Sequence, residues 1–143
     1  MASSSSSACI FCKVARGGSG RQVLMRSDRC IAFASSRPAA AAHHLVIPRE
    51  HRGSVRSLGA GDRGLLEEMR EMGKKLMMAD HAGLGDADAA KWRFVFHVPP
   101  FNSIEHLHLH CLKPPFANRW KDLTFTPGWP WCVSMEGLLD RLK

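Results

Sequence analysis

The chain has 143 residues, a size that suits one domain with a hydrophobic core large enough to need no disulfides. Hydrophobic residues make up 45% and charged residues 23%, which excludes a chain that is disordered over most of its length. The net charge of +7 favours anionic partners such as phosphate esters or nucleic acid. No apolar run approaches the roughly 20 residues that a membrane-spanning helix requires, so we expect no membrane partner.

The first half of the chain predicts short elements. Residues 1–8 are mainly serine, and we expect this start to be disordered and to precede a single domain over residues 9–143. Residues 9–15 predict one or two helical turns, because the glycines from Gly17 onwards end the apolar pattern. Strands are predicted at residues 22–25, 30–34 and 44–47.

The second half adds one long helix and two strands. The helix is predicted from Asp62, because Leu65, Leu66, Met69, Met72 and Leu76 recur on one face. The strands are predicted at residues 92–97 and 106–112, with Pro114 and Pro115 ending the second. A tryptophan-rich tail from residue 116 holds one more short helix. The elements indicate an α+β domain with a five-stranded antiparallel sheet, one long helix and one or two short helices.

Three histidines alternate with leucines in the segment His106-Leu107-His108-Leu109-His110. Side chains on a strand alternate between its faces, so the three imidazoles would share one face, about 7 Å apart. A neutral imidazole near pH 7 is a nucleophile, and its neighbours can donate hydrogen bonds to a phosphoryl group. Three histidines on one strand could also bind a transition metal, and the residues themselves leave both alternatives open.

Cys9 and Cys12 form a C-x-x-C pair, the arrangement that supplies two thiolates to a tetrahedral metal ion. The alternative is two reduced cysteines packed as small apolar residues. The chain has five cysteines, an odd number, which favours a reducing compartment. We therefore expect a cytoplasmic protein, with nuclear and peroxisomal locations left open.

Five ordered segments together resemble the histidine-triad superfamily, and in particular the branch of the third and fourth histidine-triad nucleotide-binding proteins, near aprataxin. The resemblance implies a homodimer and attack on the α-phosphate of adenosine nucleotide conjugates through a nucleotidyl-histidine. The implied substrates are nucleoside phosphoramidates or adenylylsulfate, with release of AMP. The segments that carry the resemblance are residues 9–12, 43–51, 96–105, 106–110 and 138–142.

The resemblance also implies site residues. His108 would be the nucleophile, His110 would contact the phosphate, and His106 would orient the site. His43 matches an upstream active-site histidine, and Ser103 would donate to the phosphate or leaving group. Phe33, Ser35, His97 and Asn102 are assigned to nucleotide binding, but Ser35 stands where the family commonly has an acidic residue that holds the ribose hydroxyls. A serine there makes a weaker, neutral hydrogen bond.

The resemblance further implies a structural zinc site made by Cys9, Cys12, His51 and His106. Two alternatives to the hydrolase are a nucleic-acid deadenylase of the aprataxin kind and a non-catalytic nucleotide-binding partner protein. The sequence shows no second, zinc-finger DNA-binding domain, so we expect that nucleic acid is not the substrate.

Overall fold

One antiparallel sheet is the centre of the fold, in a computed structural model that describes residues 9–18, 20–79, 90–102 and 104–142. Its strands are β1 (Met25–Arg26), β2 (Cys30–Ala34), β3 (Ala40–Pro48), β4 (Arg93–His97), β5 (Leu109–Phe116) and β6 (Cys132–Ser134). They are hydrogen-bonded in the order β1-β2-β3-β5-β4-β6. The α-helices are α1 (Ile10–Ala15), α2 (Arg63–Ala79), α3 (Arg119–Thr124) and α4 (Met135–Arg141).

The α+β class, the antiparallel sheet and the single long helix are confirmed, but the sheet has six strands where five were predicted. The additional strand, β6, comes from the tryptophan-rich tail and pairs with β4, with Val95 opposite Ser134. A strand of three residues is too short for its side-chain alternation to be read from sequence. The serine-rich start predicted at residues 1–8 lies outside the described residues.

The last long strand is displaced from its predicted position. β5 begins at Leu109 rather than at residue 106, and it continues through Pro114 and Pro115 to Phe116. The prolines are tolerated because β4 pairs with β5 only as far as Leu112, and because the pairing of β5 with β3 is irregular between Ala40 and Ala42, opposite the prolines.

Helix α2 covers one face of the sheet. Its apolar side chains, among them Leu66, Met69 and Met77, are completely buried against the strands. The helix approaches β5 closely at Gly73, where an added Cβ would lie 2.9 Å from the Cys111 Sγ. No helix in the described ranges is long and apolar enough to cross a membrane.

The other face of the sheet carries a second apolar cluster built around α1. Phe11 and Val14 of that helix pack on Ile31 and Phe33 of β2 and on Leu45 of β3. Helix α3 lies on the same face, because Phe125 at its end packs on Val95 and Leu112. The two short helices leave the middle of this face open between them.

Glu68 on α2 ties the long helix to the turn between β1 and β2. Its carboxylate accepts hydrogen bonds from the Ser27 hydroxyl, the Arg29 backbone N–H at 3.0 Å and the Arg29 Nε at 3.1 Å. These bonds, the Ser27 hydroxyl foremost, hold the pKa of Glu68 below its ordinary value of 4.5.

We predict that Glu68→Gln lowers the free energy of unfolding at pH 7 by about 1–2 kcal/mol, because hydrogen bonds to a charged acceptor become bonds to a neutral amide. Because the pKa of Glu68 is lowered in the fold, its ionised carboxylate stabilises the protein at pH values above the ordinary pKa of 4.5. This contribution is lost as the pH falls through the lowered pKa. The difference between the two proteins should therefore shrink in urea unfolding below about pH 4. The control is Glu67→Gln, whose side chain is 49% exposed; an equal loss in both variants would contradict the role of Glu68.

Candidate active site

A cleft of about 510 Å³ opens on the sheet face opposite α2, within the size range of small-molecule sites. His43 from β3 and His110 from β5 line it, together with His108. Ile10 and Phe11 of α1 stand on one side. Its further lining residues are Arg21, Ser35, Ser36, Arg37, Leu45, His97, Phe101, Ile104, Lys121, Thr124 and Phe125.

The alternation of the histidine segment places its side chains on two faces. Leu107 and Leu109 are buried in the core beneath α2. His108 and His110 face the cleft instead, with ring centroids 4.8 Å apart. This is the division that the alternating pattern predicts, and it holds although residue 108 precedes the first residue of β5.

The backbone carbonyl two residues earlier in the chain holds His108 in one tautomer. Its Nδ1 lies 2.6 Å from the carbonyl oxygen of His106, and a carbonyl can only accept a hydrogen bond. Nδ1 therefore carries the proton and Nε2 carries the lone pair. The edge contact with Phe11, at 5.1 Å between centroids, fixes the plane of the ring.

A chain of hydrogen bonds sets the tautomer of His110. The Ala39 backbone N–H donates to His43 Nδ1 over 3.0 Å, so the His43 proton is on Nε2. That atom lies 2.9 Å from His110 Nδ1, to which it donates. Neutral His110 consequently carries its proton on Nε2, a buried atom with no hydrogen-bond partner among the described residues. A buried donor without an acceptor is costly, and an anionic oxygen in the cleft would provide one.

Burial keeps these imidazoles uncharged. It lowers the pKa of His43 and of His108 to about 4 each, and that of His110 well below the ordinary value. The neighbouring imidazoles shift each pKa in the same direction. At pH 7 all three rings are neutral, so each offers one donor nitrogen and one lone pair.

His97 lies at the end of the cleft nearest α3. Its Nε2 donates to the Thr124 carbonyl oxygen over 2.9 Å, and its ring lies 4.9 Å from that of His110. Phe125 contacts the rings of both histidines. Thr124, Phe125 and the neighbouring Lys121 were not identified from the sequence, since nothing in the tail indicates that it folds back over the histidines.

Other predicted residues lie at different distances from the cleft. Ser35 lines it, and its hydroxyl accepts from the Arg37 backbone N–H at 3.2 Å. Phe33 is fully buried behind Phe11 and does not line the cleft. Asn102 lines a small hollow that adjoins the cleft at His97 and His108, and it donates to the Glu105 carboxylate over 2.6 Å. Ser103 lies outside the described residues.

Cys9, Cys12, His51 and His106 form a cluster in which one ligand atom of each lies within 4.8 Å of the others. His106 Nδ1 is 3.3 Å from the Cys9 Sγ and 3.4 Å from the Cys12 Sγ, while His51 Nδ1 is 3.2 Å from the Cys12 Sγ. His106 Nε2 donates to the Pro48 carbonyl oxygen over 2.9 Å, so its Nδ1 lone pair faces the two sulfurs.

The cluster fits a tetrahedral zinc ion. Two sulfurs and two imidazole nitrogens are a common donor set for zinc, and bond lengths of about 2.3 and 2.0 Å place such ligands roughly 3.5 Å apart. The carbonyl that accepts from His106 is the outer partner that zinc-binding histidines usually have. Burial and the adjacent Cys9 thiol raise the pKa of Cys12 to about 11, so binding of a cation would release the thiol proton.

The chain is similar to a known protein family and to several known proteins. Residues 8–124 match the family described as scavenger mRNA decapping enzyme C-term binding. The bifunctional adenosine 5'-phosphosulfate phosphorylase/adenylylsulfatase HINT4 of Arabidopsis thaliana is 37% identical over 95% of this chain and 92% of its own.

The adenosine 5'-monophosphoramidase HINT3 of Xenopus tropicalis is 34% identical over 94% of this chain and 87% of its own. Among solved structures, a HIT family hydrolase from Legionella pneumophila Philadelphia 1 superimposes with a TM-score of 0.67. It has 31% sequence identity, and the match covers 78% of this chain and 96% of the other.

Proposed function

The chain belongs to the histidine-triad superfamily, and we propose that it hydrolyses adenosine 5'-phosphate conjugates through a nucleotidyl-histidine on His108, releasing AMP. The observation that carries the proposal is the tautomer of His108. Its Nδ1–H bond to the His106 carbonyl leaves the Nε2 lone pair available in a cleft that His110 also lines. The relatives support a nucleotide hydrolase of the branch indicated by the sequence.

In the first step, His108 Nε2 forms a bond to the α-phosphorus while the bond from phosphorus to the leaving group breaks. The leaving group takes the electron pair of that bond: sulfate leaves without a proton, and an amine takes up one proton from solvent as it leaves. The ring becomes positively charged, and its Nδ1–H bond to the His106 carbonyl stabilises this charge. His110 Nε2–H, which has no acceptor among the described residues, would donate to a non-bridging phosphate oxygen.

In the second step, water attacks the phosphorus, the bond to His108 Nε2 breaks and AMP is released. Two successive substitutions are each easier than one direct attack by water. The proton lost by the water goes to a base in solution or in the cleft, and the neutral His108 tautomer is restored. We propose phosphoramidates and adenylylsulfate as substrates, since the relatives' names specify activities on both classes.

We predict that His108→Ala lowers AMP release from adenosine phosphoramidate or adenylylsulfate by at least about a thousandfold, because it removes the nucleophile. Thermal unfolding should change little, since the side chain borders a cleft. The control is His44→Gln, a histidine that the alternation of β3 places on the other face of the sheet. Equal turnover by His108→Ala and the parent protein would reject the covalent mechanism.

The serine at the ribose position generates a second prediction. Ser35→Asp should lower KM for adenosine substrates about threefold to tenfold with a similar kcat, because a carboxylate is a stronger acceptor for ribose hydroxyls. Aspartate can also accept from the Arg37 backbone N–H, so the local turn would be kept. The matched control is a 2',3'-dideoxyadenosine substrate, on which the gain should vanish. A gain that persists without the hydroxyls would show that Ser35 is not a ribose contact.

We also propose that the cluster of Cys9, Cys12, His51 and His106 holds a structural zinc ion. Zinc would supply cross-linking there, joining α1 to the segment that precedes His108. The fit rests on the His106 lone pair, which faces the two sulfurs. Bound metal would also steady the His106 carbonyl that accepts from His108.

Metal analysis tests this site. We expect about one zinc per purified chain, and close to none in Cys12→Ala, because three ligands bind zinc much more weakly than four. A chelator should lower the Tm of the parent protein but not that of Cys12→Ala. Cys132→Ala, which removes a buried cysteine outside the cluster, should retain the metal. Parent protein without zinc after purification in its presence would reject the proposal.

We propose that the chain pairs as a homodimer. Trp120, Trp129 and Phe101 are 71%, 49% and 56% exposed, and aromatic side chains are enriched in protein interfaces. Light scattering on the purified protein should give twice the chain mass, and a mass of 15.9 kDa would reject the dimer.

A further inference from the structure

Positive charge surrounds the cleft without compensation. Arg21, Arg37 and Lys121 line it, whereas its described lining contains no Asp or Glu. Arg21 serves the fold, since its guanidinium donates to the Ala34 carbonyl and lies 5.1 Å from the centroid of the Phe33 ring. Within the described part of the chain, no ion pair involves Arg37 or Lys121.

Lys121 is the lining cation on α3, the helix whose C-terminal end contacts the histidines of the cleft. It lies half-buried on α3, one turn before Thr124 and Phe125, the residues that contact His97 and His110. Its charge reaches into the site, because it is among the groups that lower the pKa of His43.

The carboxylate beside Lys121 is turned away from the cleft. Asp122 binds the Arg93 guanidinium over 2.6 Å, and Arg93 in turn lies over the Phe116 ring. The single acidic residue of α3 therefore neutralises a different cation. Asp122 therefore does not neutralise Lys121, whose charge can act on a substrate bound in the cleft.

We propose that Lys121 binds the leaving group and makes this site selective for adenylyl conjugates whose leaving group is an oxyanion, the sulfate of adenylylsulfate, over those that release an amine. The inference rests on the proposed function, and it names which of the two substrate classes the site favours. The His110 N–H already serves as the hydrogen-bond donor to the α-phosphate. A separate cation at the side of the cleft therefore indicates a second negative charge on the substrate.

The two kinds of leaving group differ in the charge that they develop as they leave, and this difference explains the selectivity. As His108 Nε2 bonds to phosphorus, the P–O bond of adenylylsulfate breaks, and sulfate leaves with the electron pair and without a proton. A fixed cation stabilises the charge that grows on that oxygen. An amine instead takes up a proton from solvent as it leaves and develops no negative charge. The neutral rings of His43 and His110 cannot replace the cation, so the charge of Lys121 separates the two reactions.

The test compares kcat/KM on adenylylsulfate with kcat/KM on adenosine phosphoramidate, both measured as AMP release by the full chain. Lys121→Met, which keeps the length of the side chain, should lower the ratio of the two values about tenfold to a hundredfold. Lys121→Arg should restore most of the ratio. Arg119→Met removes one positive charge from the same helix at an exposed position outside the cleft, and it should leave the ratio unchanged.

Two results would overturn the assignment of Lys121. One is an unchanged ratio in Lys121→Met, and the other is an equal fall on both substrates, which would place the lysine against the shared adenylyl group. A parent protein that releases AMP from neither substrate would reject the proposed function itself, and that outcome is distinct from both. Inorganic sulfate should inhibit phosphoramidate turnover by the parent protein more strongly than by Lys121→Met, and equal inhibition would also reject the binding role.

Discussion

The pairing of β3 with β5 is the constraint on which the site depends. It places Leu45 opposite His110 and His43 opposite Leu112, so the His43 ring reaches the His110 ring from two residue pairs away on the same face. A shift of one residue would turn His110 into the apolar layer beneath α2. Leu109 and Cys111, which are buried beneath α2, prevent that shift, because they would then face the cleft. The packing of the core therefore fixes the geometry of the polar groups.

The second feature of the site is that its imidazoles are buried and uncharged. Three imidazoles lie together in the cleft, and each is neutral at pH 7 because desolvation disfavours its protonated form. Neutrality is useful only if the remaining proton is on the correct nitrogen. Backbone groups make that choice, since the His106 carbonyl orients His108, and the Ala39 N–H orients His110 through His43. The active tautomers are consequences of backbone conformation.

His106 belongs to two arrangements. Its ring faces Cys9 and Cys12, its Nε2 donates to the Pro48 carbonyl, and its own carbonyl accepts from His108. One residue thus connects the N-terminal helix, the end of β3 and the candidate nucleophile. Its ring also contacts Phe11, as the His108 ring does, so His106 lies under α1 on the face that His108 and His110 share.

The sequence by itself determined the fold class and the long helix, because both depend on a local period of apolar residues. The alternation of residues 106–110 identified the histidine segment, and the choice of His108 as candidate nucleophile came from the resemblance to the family. The sequence also identified Cys9 and Cys12, whose spacing is local. The sixth strand, Phe125 and Lys121 could not be predicted, since the tail reaches the histidines only through contacts between residues distant in the chain. Which imidazole nitrogen carries a proton was decided by the tertiary structure alone, because the deciding groups, the His106 carbonyl oxygen and the Ala39 N–H, are positioned by the folded backbone.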